Sequence, residues 1–491
     1  MTGDLTALSL AEVAAQVRDR RVSPVELTQA CLQRIDALEP AINAFITVTA
    51  EAALAAARAA EREIASGAHR GALHGIPVGV KDLFDTAGVR TTAGSKILAD
   101  NVPSVDAGAV ERLKAAGAVI LGKLNLHEFA YGATGVNPHY GAARNPWDGD
   151  RITGGSSSGS GAAVAAGECF AALGTDTGGS IRIPASLCGI AGLKPTFGRV
   201  SRRGVIPLSW SLDHVGPMAR SAEDCAIVLQ ALAGHDAEDA SSADETVPDY
   251  LAALGGGVKG LRIGVPREFF FESVNPEVGA AVRGAIDVLR DLGATVNEVS
   301  LPHIAEAPAA LSAIMLPEAL AYHRTSFAER PDDFGDDVRY RLELGAAYSA
   351  VHYVQAQRFR EMIVSAWRDE VFDKVDLLTT PATPGVAVPI ETGDLQATFS
   401  LIRNTNPLNL LGVPAISVPC GFTNESAVRP ARPEALVGRA PARPSDDEPA
   451  LPIGLQLAGR WWDEAAVLRA AHAYQQATDW HARRPRIVTP S

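Results

Sequence analysis

ITGGSSSGSGAAVAA occupies residues 152–166. An unbroken run of Gly and Ser passes directly into an alanine-rich segment that reads as a helix. Taken alone, the run fits a flexible linker, a phosphate cradle or a nucleophile-bearing turn. A Gly/Ser linker joins domains through polar surroundings. Here AAVAAG follows at once, then CFAALGTDTGGSIRIPA, all apolar and punctuated by glycine, so the linker fails on context. A phosphate cradle needs a lysine just after its glycines to reach the phosphates. The run has no GK[ST] and no GxGxxG spacing.

The third reading divides in two. Gly155-Ser156-Ser157-Ser158-Gly159 matches G-x-S-x-G with Ser157 at its centre, and Asp176 and His214 follow in the order Ser, Asp, His. That motif must sit on a strand-to-helix turn. The preceding NPWDGDRIT, with Pro, Gly and two Asp, reads as a poor strand, and His214 lies in the loop-like SLDHVGP. The other branch comes from GTDTGGSIRIPA (174–185), a second glycine-rich turn carrying Ser180. Two serine-bearing turns, with Lys81 ending the apolar strand IPVGV, form a constellation that needs no histidine.

At these residues the sequence resembles the amidase signature family of serine amidohydrolases. The matching segments are GIPVGVKD (75–82), ITGGSSSGSGAAVAAG (152–167), LGTDTGGSIRIPASLCGIAGLKPTFGRVS (173–201), NPLNLLGVPAISVPCG (406–421) and IGLQLAGRWWDEAAVLRAA (453–471). The resemblance implies a Ser–Ser–Lys triad with Ser180 as nucleophile, Ser156 as bridging serine and Lys81 as base. It also implies a cis peptide between Gly155 and Ser156. The N–H groups of Thr177, Gly178, Gly179 and Ser180 would converge as an oxyanion hole, glycine permitting the dihedrals required. Asp176 and Arg182 would pair to hold that turn, and Thr175 would join the serine network. In LHEFAYGATGVNPHYG (126–141), Phe129 and Tyr131, with Trp210 further on, are candidate walls of an apolar acyl pocket.

Lys81 can serve as a base only when neutral, and a free lysine titrates near ~10.4. Burial in an apolar strand lowers that value by up to ~3–5 units. Asp82 is adjacent in sequence, but strand alternation points it to the opposite face.

Around this centre the chain reads as α/β. Ser9-Leu10-Ala11-Glu12 and Ser23-Pro24-Val25-Glu26 are capping boxes, and Leu27, Cys31, Ile35 and Leu38 recur at helical spacing. Residues 106–117 read as a helix and VILGK (119–123) as a strand. Residues 260–302 alternate strand, helix, strand, which implies a mostly parallel sheet covered by helices. A long helix is expected over about 336–373, and VDLLTTP, AISVPCG and IGLQLAG read as buried strands. The family fold implied is a large twisted mixed β-sheet covered by helices on both faces. One domain over 1–491 is expected: a helical segment to about 70, a signature core over about 71–225, and a remainder completing sheet and pocket, with 424–450 as an exposed loop.

A formal charge of −13 argues against a nucleic-acid groove, and five scattered cysteines suggest neither a disulfide framework nor a zinc site. MTGDLTALS lacks the basic and apolar regions of a signal peptide, and no run of about 18 apolar residues predicts a transmembrane helix. The expectation is a cytoplasmic enzyme with no metal or organic cofactor, no nucleic acid and no membrane, meeting a small-molecule amide; a homodimer stays open. Within the family, a stand-alone amidase cleaving aryl or acyl amides through a Ser180 acyl-enzyme, with ester or carbamate side activity, competes with the A subunit of a tRNA-dependent amidotransferase. NLHEFAYGATG and GTDTGGSIRIP look similar to segments of the latter. Its DPLxMYLxD pattern has no counterpart, since residues 392–411 read TGDLQATFSLIRNTNPLNLL, and this favours the stand-alone enzyme.

Overall fold

Both N-terminal capping boxes form. Glu12 N–H donates to Ser9 Oγ at 3.2 Å and Ser9 N–H donates back to Glu12 at 2.7 Å, opening the helix Leu10–Arg18. Ser23 does the same for Pro24–Ile42, with Pro24 in the first turn, where its missing N–H costs nothing. That helix buries Leu27, Cys31, Ile35 and Leu38 along one face, as the spacing predicts. The structure, a computed structural model, describes residues 4–424 and 450–487; most of the expected loop at 424–450 therefore lies outside the described residues.

Among the described residues the strands are β1 (Phe45–Val48), β2 (Pro77–Lys81), β3 (Val119–Leu124), β4 (Arg144–Asn145), β5 (Asp148–Ile152), β6 (Ala171–Asp176), β7 (Ala191–Lys194), β8 (His214–Ala219), β9 (Arg262–Pro266), β10 (Thr295–Val299), β11 (Leu377–Pro381), β12 (Ala415–Phe422) and β13 (Pro452–Gly459). Eleven of them form one sheet in the order β1-β3-β2-β6-β8-β7-β12-β13-β11-β9-β10. Helices flank it, giving a mixed α/β fold. The sheet is less parallel than the 260–302 segment suggests. β3-β2-β6 and β11-β9-β10 run parallel, while β6-β8-β7-β12-β13-β11 is antiparallel throughout. One strand–helix–strand unit dictates only its own crossover, here β9, the helix Pro276–Asp291 and β10.

Two local expectations are corrected, and one helix appears where the sequence reading made no assignment. Residues 148–152 do form a strand, but β5 pairs with β4 in a hairpin outside the main sheet, where Pro, Gly and Asp are tolerated, and adds a single bridge from Arg151 to Pro389. The long helix over 336–373 is two, Asp336–Gly345 and Ala350–Ala366, followed by a wider turn at Trp367–Val371. A Cβ on Gly345 would stand 2.6 Å from the Leu316 carbonyl, and Ser349 and His352 build a new capping box. The helix Ala307–Glu329 carries no strong sequence signal, because Pro308 and Pro317 interrupt its pattern. The stretch Ile304–Glu329 is long and apolar enough to cross a membrane by length and composition, and half of its apolar window is buried inside the fold.

The opening Gly/Ser run becomes the helix Ser158–Ala166, every residue of which is buried. Its small residues permit close approach. A Cβ on Gly159 would collide with the Ala44 carbonyl, and one on Gly161 would meet Pro184 at 3.1 Å. A helix apolar or small all round belongs in a core, which is where this one lies.

Candidate active site

β2 lies between β3 and β6, and all five of its residues are buried. The parallel register pairs Val80 with Leu173, so Lys81 and the Thr175–Asp176 end of β6 emerge at the same edge of the sheet. Lys81 Nζ donates to Ser156 Oγ at 2.7 Å and to Thr175 Oγ1 at 2.8 Å. Asp82 turns away, as alternation requires, and lies 3.3 Å from Lys123 Nζ on the other face. Burial pushes the Lys81 ammonium pKa down to about 7, against the pull of Asp176 and Asp213, which favour the charged form. A lysine in that state can take a proton from a hydroxyl at neutral pH.

The peptide joining Gly155 to Ser156 is cis. Gly155 N–H donates to the Ala133 carbonyl at 2.7 Å, and a Cβ there would stand 2.7 Å from the Gly135 nitrogen, so the site admits only glycine without a shift. Ser157 N–H donates to the Ser180 carbonyl at 3.2 Å, which ties the two serine-bearing turns together. Ser180 keeps 8% of its surface exposed, whereas Lys81 and Ser156 keep none. The more exposed hydroxyl is thus on the second turn, and the sealed one, Ser156, is the one that meets the lysine.

The second turn is held from below. Arg182 grips Asp176 through Nε and Nη2, each at 3.0 Å, with both side chains fully buried. Arg182 also donates to Gln456 at 2.8 Å and Asn409 at 2.6 Å, while Asn409 donates to the Asp176 carboxylate at 2.9 Å. Burial alone would raise the Asp176 carboxyl; Arg182, Lys194 and Asn409 outweigh it and hold the group well below the usual carboxylate range. Gly179 has φ +139°, and a Cβ there would collide with Thr405 Oγ1, which itself donates to the Gly178 carbonyl at 2.6 Å. Thr177 Oγ1 donates to Asp213 at 2.6 Å. Asp213, Thr405, Asn409 and Gln456 were not singled out from the sequence. Asn409 and Gln456 lie in the quoted segments 406–421 and 453–471 and Asp213 in SLDHVGP, but no pattern in those segments marks them; Thr405 lies outside the segments that carry the resemblance.

The remaining candidates separate. Ser157 Oγ faces the Thr175 backbone, accepting from its N–H and donating to its carbonyl, both at 3.3 Å. His214 Nδ1 lies against the Leu212 and Asp176 carbonyls at 2.7 and 3.1 Å, so the Ser157–Asp176–His214 grouping does not assemble. Phe129 and Tyr131 are core side chains, each 1% exposed: Phe129 packs on His323 and Phe334, and Tyr131 lies under the Arg341 guanidinium. Trp210, 47% exposed, stands with Phe197, Pro317, Glu318, Tyr348 and Tyr353 around an open cleft of about 670 Å³.

A family model described as Amidase matches residues 26–468. The chain is 48% identical to the A subunit of the glutamyl-tRNA(Gln) amidotransferase of Chloroflexus aggregans, over 98% of this chain and 97% of that one. Among solved structures, the corresponding A subunit from Thermotoga maritima superposes with a TM-score of 0.80 at 33% identity, covering 99% of each chain. A chain from a vestigial protein complex bearing on the origins of an s-triazine catabolic enzyme superposes at 0.86 with 37% identity, covering 96% of this chain and 98% of that one.

These relatives overturn two expectations. The stand-alone amidase for aryl or acyl amides gives way, because the curated relatives are named as the A subunits of amidotransferases. A single altered segment at 392–411 weighs less than identity spread over 98% of the chain. The expectation of a small-molecule partner and no nucleic acid falls with it, since those relatives are subunits of an enzyme whose name specifies a charged tRNA. The chemistry they share is cleavage of a C–N amide bond, and the chain belongs to the amidase signature family of amidohydrolases.

Proposed function

We propose that this chain is the amide-cleaving A subunit of a tRNA-dependent amidotransferase, releasing ammonia from glutamine for transfer to glutamyl-tRNA. The likeness to such A subunits across 98% of the chain carries this reading. Partner subunits and the charged tRNA follow from it, as does a cytoplasmic location. We further take residues 1–491 to act as one domain, with residues from the 71–225 core supplying the chemistry.

In this reading Ser180 Oγ attacks the carboxamide carbon. Its proton passes to Ser156 Oγ, whose own proton passes to the neutral Lys81 amine, 2.7 Å away. The oxyanion is held by N–H groups of the Thr177–Ser180 turn, a contribution worth about 10²–10³ in rate per donor. Collapse breaks the C–N bond, and ammonia leaves with the proton returned from Lys81 through Ser156. Water then repeats the sequence on the acyl-enzyme, regenerating Ser180 and releasing glutamate. Thr175 holds the lysine amine from its second side at 2.8 Å.

The test is ammonia release from glutamine by the purified chain, alone and with the other subunits encoded in the same genome, with and without glutamyl-tRNA. The reading expects co-purification with those subunits, a rate raised by them and by the charged tRNA, and loss of ammonia release in Ser180→Ala. Equal turnover by the isolated chain, with no complex formed, would refute it.

A further inference from the structure

We infer that Asp213 is a positioning residue for amide cleavage: its carboxylate fixes the Thr177–Ser180 turn and supplies the site with a negative charge that has no salt bridge among the described residues. This rests on the reading that Lys81, Ser156 and Ser180 carry the chemistry, but not on which amide is cleaved.

The geometry is specific. Asp213 lies just before β8 and Thr177 just after β6, and the antiparallel register that sets His214 opposite Asp176 brings the two level with each other. Its Oδ1 accepts from Thr177 Oγ1 at 2.6 Å. Both oxygens accept from Ser209 N–H at 3.1 Å, and Oδ2 also accepts from Leu208 N–H at 2.9 Å. Donors thus reach this one carboxylate from the glycine turn and from the loop that carries Trp210. That loop is anchored in turn at Glu318, in the wall of the cleft, which accepts from Ser209 Oγ at 2.5 Å, Ser211 Oγ at 2.7 Å and Tyr353 OH at 2.8 Å. A chain of hydrogen bonds therefore runs from the cleft wall through Asp213 to the turn beside Ser180.

The charge argument is separate. The carboxylates whose field reaches Lys81 are Asp176 and Asp213. Asp176 is matched by Arg182 at 3.0 Å through two nitrogens. Asp213 has no salt bridge among the described residues. Of the surrounding ionisable groups, Arg202 touches Asp213 only at its backbone carbonyl, at 3.4 Å, while it also donates to Ser241 Oγ and the Trp210 carbonyl and stacks over Phe197; its charge acts on the Asp213 carboxylate through space. His214 is pushed well below its ordinary value by burial and by Lys194, so it brings no charge. Lys194 points to the Val413 carbonyl and acts mainly on Asp176 and His214. Asp213 therefore favours the charged form of Lys81 with no guanidinium in contact with its carboxylate; burial raises its own pKa, and the Thr177 hydrogen bond and the more distant Arg202 charge oppose that rise.

The two roles are separated by the pH dependence of fluorophosphonate labelling of Ser180 in the full-length chain. Asp213→Asn removes the charge and sets an amide NH2 against the Leu208 and Ser209 N–H groups. It is expected to move the acidic limb of the profile to lower pH by at least about 0.5 unit and to lower the plateau rate at least about tenfold. Thr177→Val keeps the charge and removes the hydrogen bond. It should lower the plateau while leaving the limb in place, and Thr177→Ser should recover most of that loss. An unmoved limb in Asp213→Asn, or a wild-type plateau in Thr177→Val, overturns the inference. If Asp213→Asn does not fold, the Thr177 pair decides: loss in Val with recovery in Ser upholds it, and no loss in Val overturns it. Ser180→Ala, run alongside, isolates the underlying reading, because labelling that persists there sinks the site assignment itself.

Discussion

The buried lysine makes a prediction that can be worked through in numbers. If Lys81 loses its proton at about pH 7 rather than at the 10.5 of a free side chain, the neutral fraction sets the rate at which Ser180 is activated. About one lysine in ten would be neutral at pH 6 and about nine in ten at pH 8. The second-order rate of fluorophosphonate labelling of Ser180 should therefore fall about tenfold per pH unit below 7 and level off above 8. With an ordinary lysine only about one in a thousand would be neutral at pH 7.5, and the rate would climb to pH 10.

The same displacement corresponds to ~5 kcal/mol disfavouring the ammonium in the folded chain. Between about pH 7 and 10.5 the unfolded chain holds a proton that the folded chain has released. Stability must then rise with pH across that window, and the full penalty is present below it. Lys81→Met removes the penalty but leaves the Ser156 and Thr175 hydroxyls short of a donor, at ~1–3 kcal/mol. The variant should therefore be unlabelled at Ser180 yet more stable than the parent by ~2 kcal/mol at pH 6, with the advantage gone by about pH 10. Urea melts at both pH values measure it. A labelling rate flat from pH 5 to 8, or a Lys81→Met chain less stable at pH 6, would refute the reasoning.

Other substitutions discriminate between neighbouring side chains. Ser180→Ala should abolish labelling, whereas Ser157→Ala, which loses two 3.3 Å contacts to the Thr175 backbone, should still be labelled and cost ~1 kcal/mol in a urea melt. Gly179→Ala drives a methyl into Thr405 Oγ1 and should lower amide turnover by about 10²–10³ through displaced oxyanion donors, while Thr405→Ala added to it should recover part of the loss. Asp176→Asn leaves the Arg182 charge buried without its partner, so its urea midpoint should reflect a loss of ~3–5 kcal/mol.

Legibility followed range. The capping serines Ser9 and Ser23, the apolar strand ending in Lys81 and the glycine turns all act within a few residues, and the sequence displays them. The β9–helix–β10 unit was readable for the same reason, because its period changes within one short segment. The break after Gly345 was missed because its cause is a contact with Leu316 from another helix. Phe129 and Tyr131 looked like pocket walls in a suggestive segment, yet their surroundings, His323, Phe334 and Arg341, come from far along the chain. The choice between a stand-alone amidase and an amidotransferase component was made from one short motif, and full-length likeness reversed it.

By itself the sequence determined which residues could do chemistry: two serines on turns that tolerate glycine dihedrals, and one lysine in an apolar strand. Such properties are local, because backbone dihedrals and strand alternation are set by neighbours in the chain. Only the tertiary structure decided that they meet. Lys81 and Ser156 are 75 residues apart, and Arg182 reaches Asn409 and Gln456 over more than 200. The neutrality of the lysine belongs to that second class too, since a pKa depends on the water that surrounding elements exclude, and no single segment excludes it alone.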